Sequence, residues 1–109
     1  MGAKDSFVID NIRKVGARVL PKGSSIYLYG SRARGDYHVG SDWDLLLLLD
    51  RPAMNYKDKD NFEFPFVDMG WDLGQDISAR AYTKDQWFNG THTLFYFNVE
   101  QDKLLIYES

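Results

Sequence analysis

Apolar residues recur at helical spacing between Asp5 and Leu20, where Val8, Ile12, Val15 and Val19 fall on one face. Pro21 stops that pattern, and Pro21-Lys22-Gly23-Ser24 predicts a turn. The period then shortens. Ser25 to Tyr29 (SIYLY) is β-branched and aromatic and predicts a strand. Trp43 to Leu49 predicts a second strand, whose unbroken leucines suit a central position buried on both faces. Asp50 to Asn61 reads as a polar, solvated connection. Phe62, Phe66, Met69 and Leu73 return to helical spacing, with Pro65 expected in the first turn and Gly74 ending the helix. Ile77 to Tyr82 predicts a third strand, and Thr83 with Gln86 forms a candidate capping box for a helix through Trp87. A helix over roughly 93–101 and a strand over 103–108 close the chain. This order predicts a small α/β (α+β) fold, a mixed β-sheet with helices packed against it, with residues 1–109 forming a single domain.

Composition narrows the chemistry. At 109 residues, with 44% hydrophobic and 27% charged positions, the chain has enough apolar material for one core and is not disordered. A net charge of -3 argues against a surface that coats nucleic acid broadly, so any nucleotide contact must come from a local patch. The absence of cysteine excludes a disulfide framework, a thiolate zinc site and a cysteine nucleophile, and it fits the cytoplasm. The longest apolar run, Leu45 to Leu49, is far too short to cross a bilayer. Gly2 and Ser6 match the short myristoylation pattern, which we read as an ordinary chain start.

One segment carries most of the chemical information: Gly30-Ser31-Arg32-Ala33-Arg34-Gly35, five residues, then Ser41-Asp42-Trp43-Asp44-Leu45. Asp42 and Asp44 stand two apart at the head of a strand, so alternation points both carboxylates to one side. Two hard oxygen donors at that spacing suit Mg²⁺, which completes its shell with water and substrate phosphates. Gly30 allows a tight turn after the first strand, and Ser31 adds a hydroxyl at the start of a short helix whose free N–H groups attract phosphate. Arg32 and Arg34 add forked positive charge. Each half alone is weak evidence: an isolated DxD is usually a strand end, and GSR is usually a turn. Together they form a strong signal.

This combination resembles the GSRARG…SDxDL signature of the DNA polymerase β-like nucleotidyltransferase superfamily, and the chain's size resembles the minimal nucleotidyltransferase (MNT) branch. The resemblance implies Mg²⁺-dependent transfer of NMP, most simply AMP from ATP, to a hydroxyl. Asp42 and Asp44 would be catalytic metal ligands, with two ions present when NTP is bound. Gly30 and Ser31 would hold the nucleotide's β- and γ-phosphates, Arg32 or Arg34 would neutralise charge on the leaving group, and Ser41 either meets a phosphate or caps the turn before Asp42. The family also carries a third carboxylate on a later strand. Counting along Asp76-Ile77-Ser78-Ala79-Arg80-Ala81-Tyr82, that position falls on Ser78. Asp76, two residues earlier, is the candidate substitute if the strand extends so far.

Other residues have competing readings. His38 and His92 are too far apart for a metal pair and read as loop and surface or capping residues. Tyr29 and Tyr37 flank the glycine-serine turn and suit either base stacking or packing. Arg80 suits a phosphate contact or a pair with the aspartates; the latter would oppose metal binding. Trp71, Trp87, Phe88, Phe95, Tyr96 and Phe97 exceed what so small a core needs, so part of this group is expected to face a partner. By family analogy that partner is a HEPN-type toxin, with the chain as MNT antitoxin and no second domain of its own to grip an acceptor. The alternative is a catalytically degenerate nucleotide-binding or protein-interaction module, favoured by Ser78. The intact aspartate pair favours the enzyme, because adjacent carboxylates repel unless a cation joins them.

Overall fold

The computed structural model describes residues 2–109. Its elements are α1 (Ala3–Val19), β1 (Ser25–Tyr29), α2 (Ser31–Arg34), β2 (Trp43–Leu49), α3 (Tyr56–Asp72), β3 (Ile77–Thr83), α4 (Lys84–Asn89), α5 (Leu94–Asp102) and β4 (Leu104–Glu108). The four strands form one sheet in the order β3-β2-β1-β4. β1 runs antiparallel to both β2 and β4, whereas β2 and β3 are parallel and connected through α3. The expected mixed sheet with packed helices is therefore present.

Alternation along β2 divides the core. Trp43, Leu45, Leu47 and Leu49 face one way and bury with Ile26, Leu28, Ile77 and Ala81 against Val8, Ile12 and Val15 of α1 and Phe66 of α3. Leu46 and Leu48 face the other way and bury with Trp87 and Val99 beneath α4 and α5. All five leucines of β2 are buried, as a central strand covered on both sides requires. The second layer covers only part of its face. Asp42 and Asp44, on the same side as Leu46, lie toward the strand's head, where Asp42 is exposed and Asp44 half-buried.

Two expectations change. The 50–61 connection is not all loop, because α3 starts at Tyr56. Its start signal is an Asn55–Asp58 capping box: the Asn55 side chain accepts from the Asp58 N–H at 2.8 Å, and the Asp58 carboxylate accepts from the Asn55 N–H at 3.3 Å. Of the charge cluster, Lys57 and Asp60 are exposed, while Asp58 caps the helix and Lys59 turns toward β3. Pro65 accordingly sits inside α3 and not in its first turn. The carbonyl it leaves without an intrahelical donor belongs to Asn61, an exposed residue that water can reach. The capping box of Thr83 and Gln86 forms as expected, with N–H···O distances of 2.9 and 3.1 Å.

The outer edge of β3 is closed by side chains. The Ala81 N–H donates to Glu63 Oε2 at 2.7 Å, and Lys59 Nζ donates to the Ala81 carbonyl at 2.9 Å. An α3 side-chain pair therefore takes the hydrogen bonds that a further strand would make, which guards an edge against unwanted pairing. Glu63→Ala leaves the N–H of buried Ala81 without an acceptor and is expected to cost about 1–3 kcal/mol. Urea unfolding checks this, with Glu63→Gln, which keeps an acceptor, recovering most of the loss.

Candidate functional site

The site is built where β1 ends beside the head of β2. Tyr29 pairs with Asp44 across the antiparallel ladder, and Gly30 then turns the chain at φ +75°. A side chain at Gly30 would overlap the Asp44 carboxylate, so glycine is required here both for its conformation and for the close approach. Ser31 opens α2, a single turn closed by Gly35 in the left-handed region. The sequence thus places backbone with no side-chain screen, a serine hydroxyl and a carboxylate side by side.

Asp42 reaches its position through a braced loop. The His38 N–H donates to Ser41 Oγ at 3.0 Å, the Ser41 N–H donates back to the His38 carbonyl, and the Ser41 carbonyl accepts from Arg32 Nε at 3.1 Å. Ser41 is therefore a turn-closing residue. Arg32, expected at the nucleotide's phosphates, is instead engaged inside the fold. It is only 5% exposed, bonded through Nη1 to Asp5 at 3.1 Å, and lies 4.2 Å from the Trp43 ring centroid and 4.8 Å from that of Tyr37. Its charge is neutralised within the fold and fastens α2 and the loop to α1. Arg34 is more open and binds Asp36 at 3.2 Å and Asp102 at 3.1 Å, tying α2 to the end of α5.

The electrostatics centre on Asp44. Burial raises its proton affinity above the ordinary carboxylate range, and Asp42 raises it further, while Arg80 and Arg34 oppose both effects. Tyr29 is pushed up to about 12, first by burial and then by Asp44. Two like charges held together with one of them partly desolvated form a site short of positive charge. That donor set fits a hard divalent cation completed by phosphate oxygens.

The third acid does not appear. Ser78 stands directly opposite Asp44 in the β2–β3 register, so the strand position beside Asp44 carries a hydroxyl and not an acid. Asp76 lies outside β3; its carbonyl accepts the Trp43 N–H at 2.9 Å, and its side chain is exposed. Among the described residues no three acidic or histidine side chains are grouped closely enough to share a metal ion. Asp76, one residue before β3 as Asp42 is one residue before β2, is not grouped with the aspartate pair as a set of three metal ligands. Arg80, one same-face step beyond Ser78, lies over the Phe95 ring at 4.7 Å.

The remaining candidates resolve into surface and packing roles. His38 is exposed, while His92 stacks on Tyr96 at 3.8 Å. Tyr37 donates to Asp5 at 3.1 Å. Trp87 is buried and donates to Glu100, whereas Trp71, Phe88 and Phe97 remain exposed, as do Leu94 on α5 and Leu104 and Leu105 on β4. Asp5 and Asp102 were not legible as contributors. Both act across 27 and 68 residues of sequence, and no local spacing marks such partners.

Comparison with known proteins decides the family: the model of the nucleotidyltransferase domain matches residues 9–103. The chain belongs to the nucleotidyltransferase domain family. No curated protein matches the sequence. Among solved structures, a chain of a toxin–antitoxin complex with AMP-PNP is similar at TM-score 0.66 and 19% identity, over 93% of this chain and 73% of that one. The complex of a tri-AMPylated Shewanella oneidensis HEPN toxin with its MNT antitoxin gives TM-score 0.63 and 15% identity, over 95% and 72%. A Sulfolobus solfataricus protein assigned as a nucleotidyltransferase gives 0.60 and 21%, over 99% and 90%. At these identities the likeness is one of fold. No helix among the described residues of this nucleotidyltransferase domain is long and apolar enough to cross a membrane.

Proposed function

We propose that this nucleotidyltransferase moves AMP from ATP to a hydroxyl on a partner protein, as an MNT-type antitoxin acting on a HEPN-type toxin in the cytoplasm. The observation that carries the reading is the Asp42–Asp44 pair held on one sheet face against the side-chain-free turn at Gly30. Membership of the family supports the chemistry, and the fold shared with an MNT antitoxin bound to an AMPylated toxin supports the partner.

Asp42 and Asp44 would hold Mg²⁺, which when bound offsets charge on the phosphates and on the attacking oxygen. Gly30 lets the phosphate chain approach the backbone, and Ser31 donates its hydroxyl to a phosphate oxygen. Arg34, held by Asp36 and Asp102, adds positive field beside the pair. Ser41 and Arg32 position Asp42 through the loop, without touching the nucleotide. The acceptor oxygen forms a bond to the α-phosphorus while the bond from that phosphorus to the bridging oxygen breaks. Pyrophosphate leaves, and the hydroxyl's proton passes to water at the open face. We assign no part to Asp76.

A second reading rests on Ser78: a module that binds nucleotide or partner but does not turn over. Calorimetric titration with MgATP, followed by incubation with α-labelled ATP and a HEPN-type protein, separates the two. Saturable binding with label on the partner is expected. Binding without label leaves the module, and no binding removes both the enzyme and the nucleotide-binding form of that module.

A further inference from the structure

Arg34 and Arg80 both act on Asp44, while Arg32 lies behind the loop before β2; Arg32 and Arg34 are engaged. Arg32 is paired with Asp5, and Arg34 with Asp36 and Asp102. Arg80 is different. Among the described residues it makes no ion pair and no side-chain hydrogen bond, and its group is exposed on the open sheet face. It is nevertheless close enough to Asp44 and Tyr29 to stabilise the negative form of each.

The backbone explains its placement. Ser78 faces Asp44 across the parallel ladder, and Arg80 is the next same-face position of β3, about 7 Å further along the strand. Its guanidinium rests over the Phe95 ring of α5, a contact that holds a planar cation in place and leaves its edge donors unused. The cation is thus positioned but not neutralised, next to a site whose protein charge is two carboxylates and which lacks a third. A triphosphate brings about four negative charges. One divalent ion on Asp42 and Asp44 does not balance them.

We infer that Arg80 is an anchor for the nucleotide's phosphates, with its free guanidinium edge supplying positive charge that the absent third carboxylate cannot recruit through a second ion. This rests on the nucleotidyltransferase reading and goes beyond it, because the assignment concerns a residue outside the glycine-serine and aspartate motifs. Forked donors favour bidentate binding of phosphate oxygens, so lysine is an incomplete replacement.

The test is calorimetry with MgATP and, separately, adenosine, on wild type, Arg80→Ala and Arg80→Lys, with thermal melts to verify folding. Arg80→Ala is expected to weaken MgATP about tenfold or more and leave adenosine unchanged, since a charge-assisted bond is lost only with the phosphates. Arg80→Lys is expected to recover part of that loss. Raising salt should narrow the difference between wild type and Arg80→Ala. Equal MgATP affinity in wild type and Arg80→Ala overturns the anchor and leaves the nucleotidyltransferase reading intact. Tighter Mg²⁺ or MgATP binding by Arg80→Ala also overturns it, by showing that Arg80 competes with the cation for Asp44. Failure of wild type to bind MgATP at all removes the parent reading and the anchor with it.

Discussion

Replacing Asp42 and Asp44 together by asparagine is expected to weaken MgATP binding by about 1000-fold, equivalent to about 4 kcal/mol, without unfolding the protein. Asparagine keeps the size and an oxygen at each position but removes both charges that a hard cation needs. Neither side chain is part of either core cluster. The apo fold should even gain stability at neutral pH. Asp44 takes its proton more readily folded than unfolded, because of burial and then Asp42, whereas its ordinary value is 3.8. The folded form therefore holds the proton more tightly, and stability falls as pH rises from that value through the raised one. Above that window the ionised carboxylate is a cost, which Asp44→Asn removes. Melting in EDTA at pH 7 should show the variant no less stable than wild type. Adding Mg²⁺ with ATP should then stabilise wild type alone. A double variant that binds MgATP normally would show that the nucleotide sits elsewhere, and one that loses its cooperative melt would make the pair structural.

The motif was legible because its chemistry is local. Gly30, Ser31, Asp42 and Asp44 lie within one β-turn-α-loop-β segment, so spacing alone brought the turn and the carboxylates together. β2 was equally plain, since Leu45 to Leu49 must bury on both faces. The start of α3 was not. Asn55 and Asp58 form its capping box, but the charged residues after them resemble a solvated loop in any reading based on polarity. Roles set by distant partners were also hidden. Arg32 and Arg34 are two apart and chemically alike, yet one is buried against Asp5 and the other reaches Asp102. Which cation remains available to a ligand depends on those long-range pairs. Arg80 stands out only after they are known.

The same long-range pairing leads to the largest expected loss of stability. Asp5 accepts from Gly2 N–H at 3.2 Å, Arg32 Nη1 at 3.1 Å and Tyr37 Oη at 3.1 Å, joining the start of α1 to α2 and the loop before β2. Asp5→Ala leaves all three donors without this acceptor at once. The Arg32 side chain, 4% exposed, is left with the Ser41 carbonyl and two aromatic faces but no countercharge. An uncompensated buried cation costs about 3 kcal/mol or more, a fall of roughly 15 °C in Tm for a domain of this size. Arg32→Met in the Asp5→Ala background should recover much of it, because a buried pair can be exchanged for apolar packing where a lone charge cannot. MgATP affinity gives a second readout. The double variant keeps Asp42 and Asp44 but loses the Arg32 Nε bond to Ser41, so binding should weaken modestly, far less than in the aspartate double variant. A strong loss of affinity in the Arg32→Met background, at restored stability, would instead mean that Arg32 contacts the nucleotide directly. An Asp5→Ala protein that melts like wild type would mean that Arg32 finds water or another partner and is not held by Asp5.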